Sequence, residues 1–125
     1  MDGLEIFNFT LRRVPDLVRE TLGRAGCTVE DVDAFIFHQA NAFILERVAK
    51  KLGIPPARVP VNIGKYGNTS SVTIPLVIAD ALASRVTDHQ QLRVLMAGFG
   101  VGFSWAGAAM TLADLQAADV IQLER

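Results

Sequence analysis

The sequence has one cysteine and two histidines. Cys27 alone closes no intrachain disulfide and cannot build a cysteine-rich zinc site. His38 and His89 are too few for a histidine-based metal centre, so no metal is expected. Neither sign of charge is in excess: 12 Lys and Arg face 13 Asp and Glu, a net charge of −1. A general nucleic-acid binder is usually basic overall, so that class is set aside. No window holds the ~18–20 uninterrupted apolar residues of a membrane span. Residues 1–5 lack the basic segment and apolar run of a secretory signal, and a cytoplasmic protein is expected. Aromatics supply only 7% of the residues, so the core must rest on Val, Ile, Leu and Ala.

What is present is a globular chain. Half of its 125 residues are apolar, enough for one domain with a real core. Leu11, Val14, Leu17, Val18 and Leu22 follow the three-and-four spacing of a helix over 7–25. Pro15 either opens that helix or kinks a longer one, and Gly23 and Gly26 stop it. A turn or short capped helical turn follows at 28–33. Ala34-Phe35-Ile36-Phe37 reads as a short buried strand. Ile44, Leu45, Val48, Ala49 and Leu52 make a second amphipathic helix, closed by Gly53. Residues 59–62 read as a short strand and 64–71 as a loop rich in Gly and capping residues. A third helix is expected over 71–83, with Pro75 in its first turn. Strands at 92–97 and 103–112 flank a glycine turn at 98–102, and the tail from Ala113 reads as a frayed helix. Strands alternating with helices predict an α/β fold with a mixed sheet packed by helices.

Four features are candidates for chemistry. His38 stands at the C-terminal end of a predicted strand, the end where ligands bind in open α/β sheets. It is an acid, base or hydrogen-bond donor there, or a satisfied turn histidine. Asn68, after Gly67, offers a donor and an acceptor, or serves as a cap or loop residue. Gly98-Phe99-Gly100-Val101-Gly102 is followed by a strand, which excludes a dinucleotide fingerprint. It is either a tight hairpin or a source of backbone N–H groups for an oxyanion. From Arg47 to Ala79 there are five bases, Arg47, Lys50, Lys51, Arg58 and Lys65, and no acid. This local patch suits an acidic partner or a phosphate, or is a solvated helix face. Cys27, in a turn, and His89, in a surface loop, have no such setting.

Together, Phe37-His38-Gln39-Ala40-Asn41, Lys50-Lys51-Leu52-Gly53, Tyr66-Gly67-Asn68-Thr69-Ser70 and Gly98-Phe99-Gly100-Val101-Gly102-Phe103-Ser104-Trp105 resemble beta-ketoacyl-acyl-carrier-protein synthase III. The match runs along that family's C-terminal half, from about residue 1 to about 112. The resemblance implies a thiolase-like fold of two similar α/β halves, usually homodimeric. It implies condensation of an acyl thioester with malonyl-acyl-carrier protein, with loss of carbon dioxide, to begin a fatty-acyl chain. No cofactor is implied, since coenzyme A or phosphopantetheine arrives as the substrate thioester. Of the family's Cys, His and Asn, His38 and Asn68 match the last two. The nucleophilic cysteine would belong to an N-terminal half absent from this chain, and Cys27 does not match it. Phe99, Gly100, Val101 and Gly102 match the oxyanion and acyl-pocket loop. Arg47, Lys50 and Lys51 lie on the carrier-protein or coenzyme A face. Two departures stand out. Val101 replaces a common glycine, and Phe43 stands where the family's carrier-binding arginine lies, so that contact does not carry over.

Three functions follow as expectations. The first is the C-terminal half of such a synthase, inactive alone for want of the nucleophile. The second is a stand-alone module that binds acyl carrier protein or coenzyme A. The third is a relative that transfers acyl groups without decarboxylation, with His38 as base. An isolated half would expose an apolar face and self-associate.

Overall fold

The computed structural model describes residues 3–86, 90–100, 102–115, 120, 121 and 123. Three strands form one sheet in the order β1-β2-β3: β1 is Ala34–Phe37, β2 is Leu92–Gly100 and β3 is Ser104–Leu112. β1 pairs with β2 in parallel and β2 with β3 antiparallel, so the sheet is mixed as expected. Helices cover both faces. Helix α1 (Gly3–Ala25) and helix α2 (Ala42–Leu52) pack on one side, where Val14, Val18, Leu45 and Val48 meet Phe35, Phe37, Leu95 and Ala97. The opposite face, with Ala34, Ile36, Leu92 and Val94, is covered by Val77, Leu82 and Val86. Both faces of β1 are therefore buried, which is why it reads as an unbroken apolar run rather than an alternating one.

Pro15 lies inside α1, which continues through it. Its missing N–H releases the Leu11 carbonyl from the helix ladder. Lys51 Nζ, from the last turn of α2, donates to that carbonyl at 2.9 Å. One member of the basic run is thus a strut between two helices. Gly26, at φ +64°, ends α1 by letting the Cys27 N–H return to the Leu22 carbonyl.

Residues 59–62 are not a strand of the sheet. Pro60 has no N–H to give a ladder. The buried Gln39 side chain pairs the segment instead. Its Oε1 accepts the Asn62 N–H at 3.0 Å, and its Nε2 donates to the carbonyls of Phe37 (2.9 Å) and Pro60 (3.4 Å). The expected loop at 64–71 contains most of a single helical turn, α3 (Ile63–Tyr66), and the start of a 3-10 turn (Ser70–Val72).

The third helix starts at Thr73 and runs to Val86, three residues beyond expectation. It is α-helical as α4 (Thr73–Val77), widens to a π turn (Ile78–Leu82), and resumes as α5 (Ala83–Val86). The π turn lets Val77 and Leu82, five apart, face the same side of the sheet. Gly98, Phe99 and Gly100 are not in a turn. They extend β2 and pair with Ala106, Trp105 and Ser104. Residues 113–115, where a frayed helix was expected to begin, are not helical, and Leu115 packs beside the α4–α5 cluster. Most of the remaining tail lies outside the described residues, and so does His89.

Candidate active site

The site forms where β1 stops and β2 does not. The His38 N–H makes one more ladder bond, to the Ala97 carbonyl at 2.9 Å, before the chain turns into α2. Three residues of His38-Gln39-Ala40-Asn41 then have separate tasks. Gln39 is the buried staple described above. The Asn41 side chain accepts the Phe43 N–H at 2.9 Å and caps α2. His38 is left on the wall of an open cleft of about 910 Å³, which Asn68, Thr73, Gly98, Phe99 and Gly100 also line. The structure thus brings together His38 and Asn68, thirty positions apart in sequence.

The His38 imidazole is half-buried, with Phe99 edge-on at 5.5 Å between ring centres. Burial pushes its pKa below the ordinary 6.5, so the ring is neutral at pH 7. Its Nδ1 is 2.7 Å from Thr73 Oγ1, which lies 3.1 Å from the Ser70 carbonyl. Asn68 sits in a strained loop. Gly67 has φ +72° and Ser70, not a glycine, has φ +59°. Asn68 Oδ1 accepts the Ser70 N–H at 2.9 Å. With the oxygen taken, the amide presents its Nδ2 donors. Lys65, Tyr66 and Asn62 all converge on Asp80 at the π turn, at 2.8, 3.0 and 3.4 Å, and hold the α3 turn that precedes Asn68. Those donors lower the Asp80 pKa.

Strand alternation defines the glycine segment. The carbonyls of Arg93 and Ala97 accept N–H groups of Asp33 and His38, so the odd residues of β2 turn their backbone toward β1. β1 has ended by the level of Phe99, so its backbone N–H and C=O point beyond His38. Val101 lies outside the described residues. Gly102, at φ +80°, begins the return into β3.

The basic patch is narrower than the sequence suggests. Lys51 holds Leu11, Arg58 donates to the Val29 carbonyl at 3.1 Å, and Lys65 pairs with Asp80 at 2.8 Å. Arg47 lies over the Phe43 ring, 4.9 Å from its centre, and that ring stacks on Phe7. Arg47 and Lys50 remain as exposed charges on α2. Cys27 does not line the cleft; its thiol is 3.9 Å from the Leu22 carbonyl, below α1. Among the described residues, no three His, Cys, Asp or Glu side chains group as metal ligands. No described helix is long and apolar enough to cross a membrane. Sequence reading missed Gln39 and Thr73; the signal was a polar residue next to, or five after, a candidate site residue.

A mixed sheet between helical layers, with a histidine at the end of β1 and an asparagine on a nearby loop lining one cleft, defines a unit of the thiolase-like class. The family model described as 3-oxoacyl-[acyl-carrier-protein (ACP)] synthase III C terminal matches residues 22–112. The chain belongs to that family. A beta-ketoacyl-[acyl-carrier-protein] synthase III of Thermosynechococcus vestitus is 42% identical over 108 residues, covering 86% of this chain and 32% of the relative. That of Nitratidesulfovibrio vulgaris is 43% identical over 110 residues, covering 88% and 33%. The crystal structure of a 3-oxoacyl-(acyl-carrier protein) synthase from Burkholderia xenovorans superposes with a TM-score of 0.91 at 55% identity, covering 95% of this chain and 34% of that one. The chain spans about one third of the length of the curated relatives it matches.

Proposed function

We propose that this chain supplies the histidine and asparagine of a 3-oxoacyl-acyl-carrier-protein synthase III, which condenses an acyl thioester with a malonyl thioester in fatty acid synthesis. The observation that carries the reading is the convergence of a neutral His38 and an Asn68 amide, its oxygen occupied, on one cleft. When a malonyl thioester loses carbon dioxide, the electron pair left behind spreads to the thioester oxygen as an enolate. Two neutral donors, His38 Nε2–H and Asn68 Nδ2–H, suit that oxygen, and a neutral imidazole has no charge to hold the departing carboxylate. Phe99 beside the ring keeps water away from the enolate. The enolate carbon then attacks the carbonyl of an acyl group held as a thioester on a cysteine sulfur. A carbon–carbon bond forms, the carbon–sulfur bond breaks, and the thiolate is released. A backbone N–H of the 98–102 segment holds the passing oxyanion.

The cysteine comes from enzyme sequence outside this chain, so the chain alone does not condense. The reading carries with it a cytoplasmic homodimer with no resident cofactor. Arg47 and Lys50 form the face for an acidic acyl carrier protein. The edge strand β3, which leaves Trp105 exposed on one face of the sheet and Met110 on the other, each more than 40%, is the side of the sheet that further sequence covers.

The test joins this chain to the first two thirds of the Burkholderia xenovorans relative. The chimera is expected to decarboxylate malonyl thioester and to form a 3-oxoacyl product. Asn68→Ala is expected to abolish both. Unimpaired turnover in Asn68→Ala would favour acyl transfer without decarboxylation, and efficient condensation by the 125-residue chain alone would overturn the division of the active site.

A further inference from the structure

The reading above needs His38 as an Nε2–H donor toward the cleft, and neutrality alone does not choose between the two tautomers. The chain holds a residue that does. Thr73 is the first residue of α4, 2% exposed, and its hydroxyl has one proton and two neighbours. The Ser70 carbonyl, at 3.1 Å, only accepts. His38 Nδ1, at 2.7 Å, accepts or donates. A hydroxyl proton directed at Ser70 would make Nδ1 the donor to Thr73 and leave Nε2 a bare lone pair. A hydroxyl proton directed at His38 would make Nδ1 the acceptor and put the ring N–H on Nε2.

The distances favour the second case. Hydroxyl donors bond at about 2.7–2.8 Å, ring and amide N–H donors at about 2.9–3.0 Å. The His38 contact has the hydroxyl length, and the Ser70 contact is longer than an O–H···O bond usually is. Ser70 is itself locked: its N–H is held by Asn68 Oδ1 and its φ is +59°. The same short loop therefore orients both cleft groups, Asn68 through the Ser70 N–H and His38 through Thr73.

We propose that Thr73 is the positioning residue that donates its hydroxyl proton to His38 Nδ1, fixing the imidazole as the Nε2–H tautomer that faces the cleft. At 2% exposure it presents almost no surface to the cleft, and it acts through His38. The proposal rests on the reading of His38 as an enolate donor, but its first test does not use the reaction.

The chain has two histidines, so His89→Gln leaves His38 as the single imidazole for nitrogen-15 NMR at neutral pH. The expected result is one protonated nitrogen, Nε2, and an Nδ1 shift of a hydrogen-bonded acceptor. In Thr73→Val the Nδ1 shift moves to that of an acceptor without a donor, and the Nδ1–H population rises ~10-fold, the worth of one neutral hydrogen bond. Thr73→Ser restores both. An Nδ1–H tautomer in the parent chain overturns the proposal, and this holds even if Thr73→Val fails to fold. So does an Nδ1 signal unchanged in a folded Thr73→Val. The same histidine is read in the chimera by difference from His38→Gln. There, Thr73→Val is expected to lower kcat for malonyl decarboxylation ~10-fold with KM unchanged, and Thr73→Ser to recover it. If the tautomer is as stated and the chimera does not decarboxylate, the functional reading fails and the assignment of Thr73 stands. If decarboxylation needs His38 and Asn68 but the tautomer is reversed, Thr73 fails and the functional reading stands.

Discussion

Replacing Gln39 by a glutamate exchanges one NH₂ for one oxygen at a buried polar junction of the fold. Gln39 is fully buried. Its Nε2 donates to the Phe37 carbonyl at 2.9 Å and the Pro60 carbonyl at 3.4 Å, while Oε1 takes the Asn62 N–H at 3.0 Å. A carboxylate keeps the last bond and turns its second oxygen on two carbonyl oxygens. No cation is among the partners of this side chain, so the cost is that of an uncompensated buried charge, about 3–5 kcal/mol. Gln39→Ala loses the bonds without adding charge and should cost about 2–3 kcal/mol. Urea unfolding of the chain at pH 7 measures both, read from the midpoint at constant slope. The decisive feature is the pH dependence. The folded state raises the pKa of the introduced carboxyl above its unfolded value of about 4.3, because only the protonated acid can donate to the Phe37 carbonyl. The folded state then binds the proton more tightly, so the stability of the variant falls as pH rises and is regained as pH falls toward about 4.3. The deficit against the parent should therefore narrow on acidification. A Gln39→Glu chain within about 1 kcal/mol of the parent at pH 7, or a deficit that widens with acid, would refute the role given to Gln39.

Other outcomes follow from the same structure. Lys51→Met removes the donor to the Leu11 carbonyl and should cost about 0.5–1.5 kcal/mol; in a Pro15→Ala background the restored helix N–H takes that carbonyl and the cost should vanish, which a double-mutant cycle in urea reads directly. Asn68→Asp keeps the Ser70 contact but offers the cleft no donor, so malonyl decarboxylation by the chimera should fall about 10²–10³-fold with the fold unchanged by circular dichroism. His38 is neutral because burial lowers its pKa. The stability this reflects is whole above the unfolded value near 6.5 and is lost as pH falls from there through the folded value, so the acid limb of decarboxylation should lie below about pH 6.5. Sedimentation of the isolated chain should show concentration-dependent association through its exposed edge strand β3; a clean monomer at high concentration counts against that strand being a covered one.

Local pattern makes much of this protein legible. The four-residue run 34–37 is apolar at every position, and it is a strand buried on both faces. The spacing from Leu11 to Leu22 is that of a helix with one apolar face, and α1 is that helix. His38 and Asn68 can be singled out because a strand end and a glycine-preceded loop are local features, and the cleft contains both. Each of these features rests on residues a few positions apart.

Where sequence and fold diverge, contacts between distant residues are responsible. Residues 59–62 look like a strand, but whether an extended segment joins a sheet depends on a free edge beside it, and Gln39 takes its backbone first. Gly98–Gly100 look like a turn, but β3 folds back far enough to pair with them. A run of bases without acids looks like a patch, yet three of the five are drawn to carbonyls or a carboxylate that lie 15 or more residues away in the chain. Residue order is enough to specify the main helices, the buried strand and the identity of the two polar groups at the sheet's end. Packing of remote segments settles which nitrogen of His38 meets Thr73, which end of the Asn68 amide is occupied and which charges stay exposed. Periodicity is written in neighbouring residues, whereas hydrogen-bond direction and charge pairing are set by whatever the folded chain brings within about 3 Å.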